Sequence, residues 1–210
     1  MVKYILLFIF VSSSFSQSKY PADTLIISTK INIIQKIGLL PIAAWQRISY
    51  NSNYFNCQFY PSCSNYGASA IKKYGFIKGT IIGSDRITRC NPFAVYYHME
   101  LGRPFNDKDG RLIDPIAQDH NLKSKKTPSI AAILSIIPGL GRAYSGRKLD
   151  GLIGLWTVIL TTNSAYLANE NNRPILGPLF IGIWGITYLG EIYGSWRAAK
   201  YYQKIDNNNI

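Results

Sequence analysis

The sequence predicts an all-α protein in which a small basic helical-hairpin module precedes a transmembrane helical hairpin. Two long apolar runs predict the transmembrane part, because residues 151–169 and 174–190 contain no charged side chain. The basic module is predicted by nine Lys and Arg side chains against two Asp side chains between residues 19 and 92. Together these features are typical of an integral membrane protein with a cationic domain outside the bilayer.

The chain of 210 residues is basic and apolar together, with a formal net charge of +12 and 47% hydrophobic residues. This combination argues against intrinsic disorder. Such a charge needs an anionic partner, and the apolar runs favour a lipid bilayer with anionic headgroups over nucleic acid. Three Cys, two His and eleven acidic residues leave little for a hydrolase or a metal enzyme. We therefore expect no enzyme, no catalytic residues, no metal and no cofactor.

Residues 1–16 have the layout of a secretory signal peptide. Lys3 opens the segment, an apolar stretch covers residues 4–11, and the small residues Ser14 and Ser16 flank a possible cleavage position. The alternative is an uncleaved N-terminal anchor. Either role brings the start of the chain to a membrane.

Residues 30–48 predict a basic amphipathic helix. Ile31, Ile34 and Ile37 fall on one helical face, and a Trp and an Arg continue the segment after Pro41. Such a segment either lies in the headgroup layer with its apolar stripe inward or packs against its own domain, and the pattern leaves both open. The candidate membrane-surface residues are Lys30, Lys36, Trp45 and Arg47.

A helical hairpin is predicted between residues 64 and 92. Ser64 is a candidate N-cap for a helix that runs to Tyr74, and Gly75 is a candidate C-cap. A second helix then begins at residue 76 or 77 and ends before Pro92, which cannot lie inside a helix. This arrangement brings the start of the first helix close to the end of the second.

Three cysteines, Cys57, Cys63 and Cys90, lie at these two ends of the predicted hairpin. In an oxidising compartment one disulfide and one leftover thiol are expected, and in the cytosol three reduced thiols. A metal site with His98 as the fourth ligand is less favoured, because the five residues between Cys57 and Cys63 exceed the usual spacing of a zinc knuckle. A nucleophile pair of Cys63 and His98 lacks a motif for an orienting acid or an oxyanion hole.

The stretch from residue 57 to residue 92 resembles the membrane protein insertion efficiency factors, small basic proteins also described as having a haemolytic domain. Their hallmark is a C-x-F-x-P-S/T-C-S-x-Y run followed by A-I/L, G-x-x-x-G and R-x-x-R-C-x-P. So many fixed positions within a short stretch make the match specific, and the resemblance covers residues 41–116. The agreeing positions are Cys57, Phe59, Pro61, Ser62, Cys63, Ser64, Tyr66, Ala70, Gly75, Gly79, Arg86, Arg89, Cys90 and Pro92.

The resemblance implies a non-enzymatic helper at the site where the membrane insertase and the Sec translocon pass new proteins into the bilayer. It also implies that residues 45–49 belong to an amphipathic helix on the membrane surface. Family members end soon after a G-x-D-P-V-P segment, whereas here Asp114 and Pro115 follow an insertion of residues 93–113. We take these two residues, together with the motif residues, as candidate structural residues of the site.

The C-terminal part is similar to small two-helix membrane domains that open with P-G-L-G, here residues 138–141, and whose function is poorly defined. Membrane spans are predicted at residues 151–169 and 174–194, joined by a short polar connection. The charge-free run 127–141, which makes up most of the short apolar segment at residues 128–144, covers about 22 Å, less than the roughly 30 Å of a hydrocarbon core.

Basic residues flank the predicted membrane hairpin on both outer sides, while its connecting loop has only Glu170 and Arg173. The positive-inside rule therefore puts both flanks in the cytoplasm. If residues 1–16 are an export signal, the segment 128–144 must cross the membrane as well. If they are not, the basic module stays cytoplasmic. The sequence supports both topologies, and the N-terminal segment favours export.

We therefore expect a protein of the cell (inner) membrane with two or three spans that acts as a non-enzymatic accessory factor for protein insertion. The alternative is an exported or envelope-facing membrane protein of structural role that binds lipid or a partner. The expected division is a signal peptide or anchor at 1–16, a basic module at 17–118 with its core motif at 57–92, a basic linker at 119–127, a membrane domain at 128–196 and a polar tail at 197–210.

Overall fold

The computed structural model describes residues 20–52, 57–116 and 126–202, and almost all of their regular structure is helical. The all-α prediction is confirmed for this part of the chain. The predicted signal peptide or anchor, most of the linker and the end of the tail lie outside the described residues. The helices are α1 Pro21–Ile27, α2 Ile33–Ser49, α3 Cys63–Tyr74, α4 Phe76–Arg89, α5 Ala94–Glu100, α6 Pro128–Leu134, α7 Leu140–Tyr144, α8 Lys148–Glu170 and α9 Leu176–Tyr201. Two short strands, β1 Phe59–Tyr60 and β2 Leu112–Ile113, pair in parallel.

Helix α2 begins at Ile33 because a capping box defines its start. The Asn32 side chain accepts a hydrogen bond from the Gln35 backbone N–H (2.9 Å), and the Gln35 side chain accepts one from the Asn32 backbone N–H (3.0 Å). Ile31 therefore lies before the helix and is buried in a core cluster with Leu39. Ile31, the first residue of the predicted apolar stripe, is therefore a core residue and does not belong to the exposed face of α2.

Helices α3 and α4 form the predicted hairpin, with one difference at its start. The N-cap is Ser62 and not Ser64, because the Ser62 hydroxyl accepts a hydrogen bond from the backbone N–H of Asn65 at 3.4 Å. Gly75 separates the two helices at φ 85°, a left-handed conformation that glycine adopts most readily. The predicted C-cap is thus confirmed.

The two helices of this hairpin approach each other most closely at Gly79. A Cβ atom at this position would lie 2.8 Å from the carbonyl carbon of Ala70 and closer still to the backbone of Ile71. The G-x-x-x-G part of the motif therefore serves close packing of α4 on α3.

The inserted segment between α4 and β2 returns the chain to the motif. After α5 and a polar turn, β2 lies beside β1 with Leu112 opposite Phe59. The backbone N–H of Asp114 donates to the carbonyl oxygen of Tyr60 at 3.0 Å. This pairing places Asp114 on the buried side of the motif.

Residues 128–144 form two short helices, α6 and α7, with Pro138 and Gly139 between them. Gly139 has φ 86°, so the chain changes direction there. Helix α6 has seven residues and is about 10 Å long, too short to cross a membrane by itself. The Tyr188 hydroxyl donates to the carbonyl oxygen of Ile136 at 2.9 Å and holds this segment against α9.

Helices α8 and α9 run antiparallel and pack along each other, with the hydroxyls of Thr161 and Thr187 3.2 Å apart. Within the described ranges, α8 is the one helix that is both long and apolar enough to cross a membrane. Helix α9 has 26 residues but includes the charged side chains Glu191, Arg197 and Lys200. A helical hairpin is therefore present, while both of its membrane spans stay predictions.

Candidate functional site

A buried group of charged side chains, which we call the charge cluster, joins the motif to the C-terminal helices. All of its members except Arg103 are buried. They come from α4, α7, α9 and the two segments around β2, so the cluster lies where all of these elements meet. Its members are Asp85, Arg86, Arg89, Arg103, Asp114, Arg142, Glu191 and Arg197.

On the motif side, Asp114 faces several arginines. Arg86 and Arg89, which lie one turn apart on α4, both contact its Oδ2 atom. An Nη atom of Arg103 lies 3.1 Å from its Oδ1 atom, and Arg89 also donates to Asp85 at 2.9 Å. The R-x-x-R spacing of the motif therefore puts both arginines on the same face of α4, toward one carboxylate.

The Arg86 guanidinium also lies between two aromatic rings of the motif. Its central carbon is 3.9 Å from the centre of the Phe59 ring and 4.5 Å from that of Tyr66. The carbonyl oxygen of Pro61 accepts a hydrogen bond from it at 3.1 Å. Cation–π contacts and this hydrogen bond partly replace the water that a buried guanidinium loses. Three further motif residues thus surround Arg86.

On the side of the C-terminal helices, Arg142 of α7 bridges two acids. One Nη atom lies 2.9 Å from Oδ1 of Asp85, and Nε lies 2.7 Å from a carboxylate oxygen of Glu191 in α9. Arg197, one turn and a half further along α9, contacts Asp114 at 3.2 Å. The motif helix and the C-terminal helices therefore share their counter-ions.

A neighbouring buried pair extends this contact to α8. The Arg147 side chain donates to Asp150 at 2.6 Å, and the Asn91 side-chain amide donates to the same carboxylate at 2.7 Å. The ring of Tyr97 lies 4.5 Å from the Arg147 guanidinium. The segment after α4 is thus attached to the first turn of α8.

Burial by itself raises the pKa of Asp85 and Asp114, because a buried carboxylate loses its hydration. The arginines outweigh this effect, chiefly Arg89 and Arg142 at Asp85, and Arg89 and Arg197 at Asp114, and they hold both pKa values below their usual range. Both carboxyls are therefore charged at neutral pH. Because buried ion pairs gain little after desolvation, the cluster contributes a specific docking geometry more than net stability.

The three cysteines come together at one end of the α3–α4 hairpin, and we call them the thiol cluster. Their Sγ atoms all lie within 4.8 Å of one another, and those of Cys57 and Cys63 are 3.5 Å apart. Hydrogen bonding from Cys63 and Cys90 holds the pKa of Cys57 below the ordinary thiol value, and the same hydrogen bonds to Cys57 raise the pKa of Cys63 and of Cys90. His98 is not part of this cluster, since its Nε2 atom lies 2.9 Å from the carbonyl oxygen of Pro104. The arrangements that require His98 as a ligand or base are therefore not formed.

Helix α2 presents an exposed apolar face to its surroundings. Ile34 and Ile37 are each 57% exposed, and the ring of Trp45 is 47% exposed. These fractions are high for side chains of this size, and they occur together on one element. Further exposed members of this face are Ile33, Leu40 and Ile48.

The four residues predicted at a membrane surface have different surroundings. Lys30 is exposed, Lys36 is half-buried, and Trp45 belongs to the exposed apolar face of α2. Arg47 is half-buried and forms an ion pair of 2.9 Å with the buried Asp23. Arg47 thus has an internal structural contact, while the other three remain at the surface.

The remaining motif residues lie around the start and the end of the α3–α4 hairpin. The Ser64 hydroxyl accepts a hydrogen bond from Gln46 at 3.3 Å and lies 3.3 Å from the Ser62 hydroxyl. Pro92, just after α4, and Pro115, just after β2, are exposed. Ser64 thus connects the motif to α2, and the two prolines follow the ends of α4 and β2.

The members of the charge cluster on α7 and α9 were not predicted from the sequence. The basic residues that flank the predicted membrane hairpin, which include Arg142 and Arg197, serve there only as markers of topology, and Asp85 is not singled out. One signal was present, because Glu191 is a lone acid inside the predicted span 174–194. A carboxylate at such a position is usually paired with a cation. Its partner, however, lies 49 residues away in the chain.

Comparison with known proteins identifies the family of the motif. The family model described as "YidD: Putative membrane protein insertion efficiency factor" matches residues 34–98. A protein of that description from Legionella pneumophila is 42% identical over 66 residues, which are 31% of this chain and 82% of that protein. One from Thermoanaerobacter pseudethanolicus is 42% identical over 60 residues, 29% of this chain and 87% of that protein.

A third relative of the same description, from Clostridium botulinum, is 55% identical over 38 residues, which are 18% of this chain and 55% of that protein. No solved structure matches the chain. The resemblance predicted from the motif is thus confirmed. The family match ends at residue 98, before Asp114 and the α8–α9 hairpin, so the relation to two-helix domains of the P-G-L-G type stays a prediction.

Proposed function

Because the chain belongs to the membrane protein insertion efficiency factor family, we propose that it assists the insertion of proteins into the cell membrane without catalysing a reaction. One observation carries this proposal beyond the family name. The family motif is joined to α9 through the charge cluster and to α8 through the contact between Asn91 and Asp150, and the outer faces of both helices expose large apolar side chains. The protein acts by contact, as a cationic module held against lipid.

The α8–α9 hairpin lies across the bilayer in this proposal. The charge-free runs 151–169 and 174–190 would cover about 28 Å and about 25 Å as helices, close to the roughly 30 Å of a hydrocarbon core. Support also comes from the exposed apolar side chains on both helices, which a bilayer would cover. These are Leu152, Trp156, Ile159, Leu160 and Leu167 on α8, and Leu176, Leu179, Ile181 and Leu189 on α9.

Helices α6 and α2 lie at the membrane interface in the same arrangement. Ile133, Ile136 and Ile137 are exposed beside α9, at the level of Tyr188, and extend the apolar surface of the hairpin. The exposed apolar face of α2 is suited to the boundary between headgroups and acyl chains. Exposed lysines near the α3–α4 turn, Lys72, Lys73 and Lys78, supply the attraction to anionic headgroups.

We place the module on the cytoplasmic side. The charge cluster packs the motif against the end of α9, and Asn91 attaches it to Asp150 at the start of α8, so the module lies on the same side of the membrane as both flanks. These flanks include the exposed Lys148 and Lys200, and the positive-inside rule puts them in the cytoplasm. Because the short α6 would not cross, this topology has two spans, in contrast to the export that the N-terminal segment favours.

A cytoplasmic module is within reach of proteins as they enter the bilayer, so the insertase and the Sec translocon are its proposed partners. This assignment rests on the family resemblance. The test is to deplete the protein and follow radiolabelled membrane proteins into the bilayer, with the wild-type chain and Asp109→Asn as matched rescues. Slower insertion that both rescues restore supports the role, and unchanged insertion after depletion counts against it.

The topology has its own test. Asp107→Cys in the exposed turn of the module should react with a membrane-impermeant maleimide only after spheroplasts are opened. Asn171→Cys in the α8–α9 connection should react in intact spheroplasts. The native thiols are counted in the unsubstituted chain as a background. The reverse pattern would support an exported, envelope-facing protein of structural role.

A further inference from the structure

The thiol cluster is assembled from three separate parts of the module. Cys57 precedes β1, Cys63 is the first residue of α3, and Cys90 follows the last residue of α4. All three side chains are free thiols and half-buried. Their Sγ atoms nevertheless lie within 4.8 Å of one another. The tertiary fold, and not their spacing along the chain, brings them together.

These distances correspond to a shared metal ion better than to a disulfide. A zinc–sulfur bond is about 2.3 Å, so two thiolates on one tetrahedral ion have sulfur atoms about 3.8 Å apart. The Sγ atoms of Cys57 and Cys63 are 3.5 Å apart, and no pair in the cluster exceeds 4.8 Å. A disulfide requires a separation of about 2.05 Å. The three sulfurs therefore need only small movements to bind one ion.

The polar surroundings include N–H donors to two of the three sulfur atoms. The backbone N–H of Cys63 points at the sulfur of Cys57 at 3.3 Å, at the N-terminus of α3. The Gln58 side-chain amide lies 3.7 Å from the sulfur of Cys90. Hydrogen bonds from neutral N–H groups stabilise the thiolate form, which is the form that binds metals.

The cluster also has access to solvent. Cys57 and Gln58 line a surface cavity of about 670 Å³, together with Phe105 and Arg111. A fourth ligand can therefore reach an ion at the thiols as water from this cavity. His98 is not that ligand, because its ring is held at Pro104.

We propose that Cys57, Cys63 and Cys90 bind one thiophilic divalent cation of the zinc type, with a fourth coordination position open to the cavity. On binding, the thiols release their remaining protons to water and coordinate as thiolates. The ion fastens the segment before β1, the start of α3 and the end of α4 to one another. This site does not depend on the proposed insertion role.

The test uses the full chain, purified in detergent under reducing conditions and stripped with a chelator. Co²⁺ is added first, as a spectroscopic probe, and is then displaced by Zn²⁺. We expect one ion per chain and a thiolate-to-cobalt charge-transfer absorption that zinc abolishes. The absence of this absorption, or binding with much less than one ion per chain, would overturn the proposal.

Two further measurements make the test independent of any single variant. In the wild-type chain, Zn²⁺ should protect all three thiols from alkylation under native conditions, and this needs no substitution. Cys63→Ser should weaken Co²⁺ binding at least about 100-fold, because it removes a direct ligand. Asp107→Asn, which removes an exposed carboxylate that does not line the cavity beside the thiols, should bind as the wild type does. Equal binding by Cys63→Ser, or a Cys57–Cys63 disulfide in protein alkylated at the moment of cell lysis, would contradict the site.

Discussion

Arg142 lies 2.9 Å from Asp85, although the two residues are 57 positions apart and belong to the C-terminal helices and the family motif respectively. Both side chains are fully buried. A charge buried in this way is tolerated only when its partner is in place. The C-terminal helices are therefore packed onto the motif as one structural unit, and they are more than a flexible anchor attached to it.

Removing the acid of this pair should destabilise the whole protein. Asp85→Asn leaves Arg142 and Arg89 without a shared counter-ion, and breaking one partner of a buried pair costs about 3–5 kcal/mol. The measurement is the free energy of unfolding by denaturant in a mild detergent. Asp109→Asn breaks an exposed pair with Arg111 and is the control, for which little change is expected. Equal stability of the two variants would contradict a stabilising role for the ion pair between Asp85 and Arg142.

Gly79→Ala should destabilise the α3–α4 hairpin. The added Cβ would press against the backbone of Ala70 and Ile71, and such overpacking costs about 1–3 kcal/mol. Gly182→Ala is the matched control, because a Cβ there meets nothing within 4 Å. In that exposed helical position alanine is favoured over glycine by about 0.5–1 kcal/mol. The midpoint temperature of thermal unfolding should therefore fall for Gly79→Ala and rise slightly for Gly182→Ala.

The exposed apolar face of α2 should matter for insertion and not for folding. The double variant Ile34→Lys, Ile37→Lys places two charges where lipid is proposed, and we expect a loss of rescue in the depletion assay of at least about tenfold. Helical content and unfolding should change little, because both side chains already face outward. The control is Ile34→Leu, Ile37→Leu, which keeps the face apolar. Full rescue by the lysine variant would contradict a contact between α2 and the membrane.

The charge cluster should make the protein sensitive to acid. The pKa of Asp114 is lower in the folded state than in the unfolded chain, where it is about 3.9. Its stabilising contribution is therefore complete above about pH 5 and is lost as the pH falls through the folded-state value. Each tenfold difference between the two ionisation constants corresponds to about 1.4 kcal/mol.

The measurement for Asp114 is the free energy of unfolding of wild type and Asp114→Asn between pH 7 and pH 3. The variant should be less stable at pH 7, because Arg86, Arg89, Arg103 and Arg197 lose a common counter-ion. It should also lose less stability on acidification. Some dependence should remain, since Asp85 titrates in the same direction. Parallel pH profiles of the two proteins would count against this account of Asp114.

Features with short-range causes were predictable from the sequence. The α3–α4 hairpin and the turn at Gly75 follow from helix periodicity and from the conformational preference of glycine. The N-cap was misplaced by two residues, because Ser62 and Ser64 are both good caps and only the folded geometry shows which hydroxyl reaches the free N–H group. The thiols were expected to meet, since they lie at neighbouring ends of one hairpin.

The sequence by itself determined that this chain is helical, basic and rich in apolar runs, and that it carries the motif of its family, because periodicity, caps and motif spacing are properties of neighbouring residues. Only the tertiary structure decided that Arg142 pairs with Asp85 and Glu191, and that Asp114 receives Arg197. A buried charge takes as its partner whichever opposite charge the packing brings within about 3 Å. For the pairs of Arg142 and Arg197, distance along the chain carries no information about that choice.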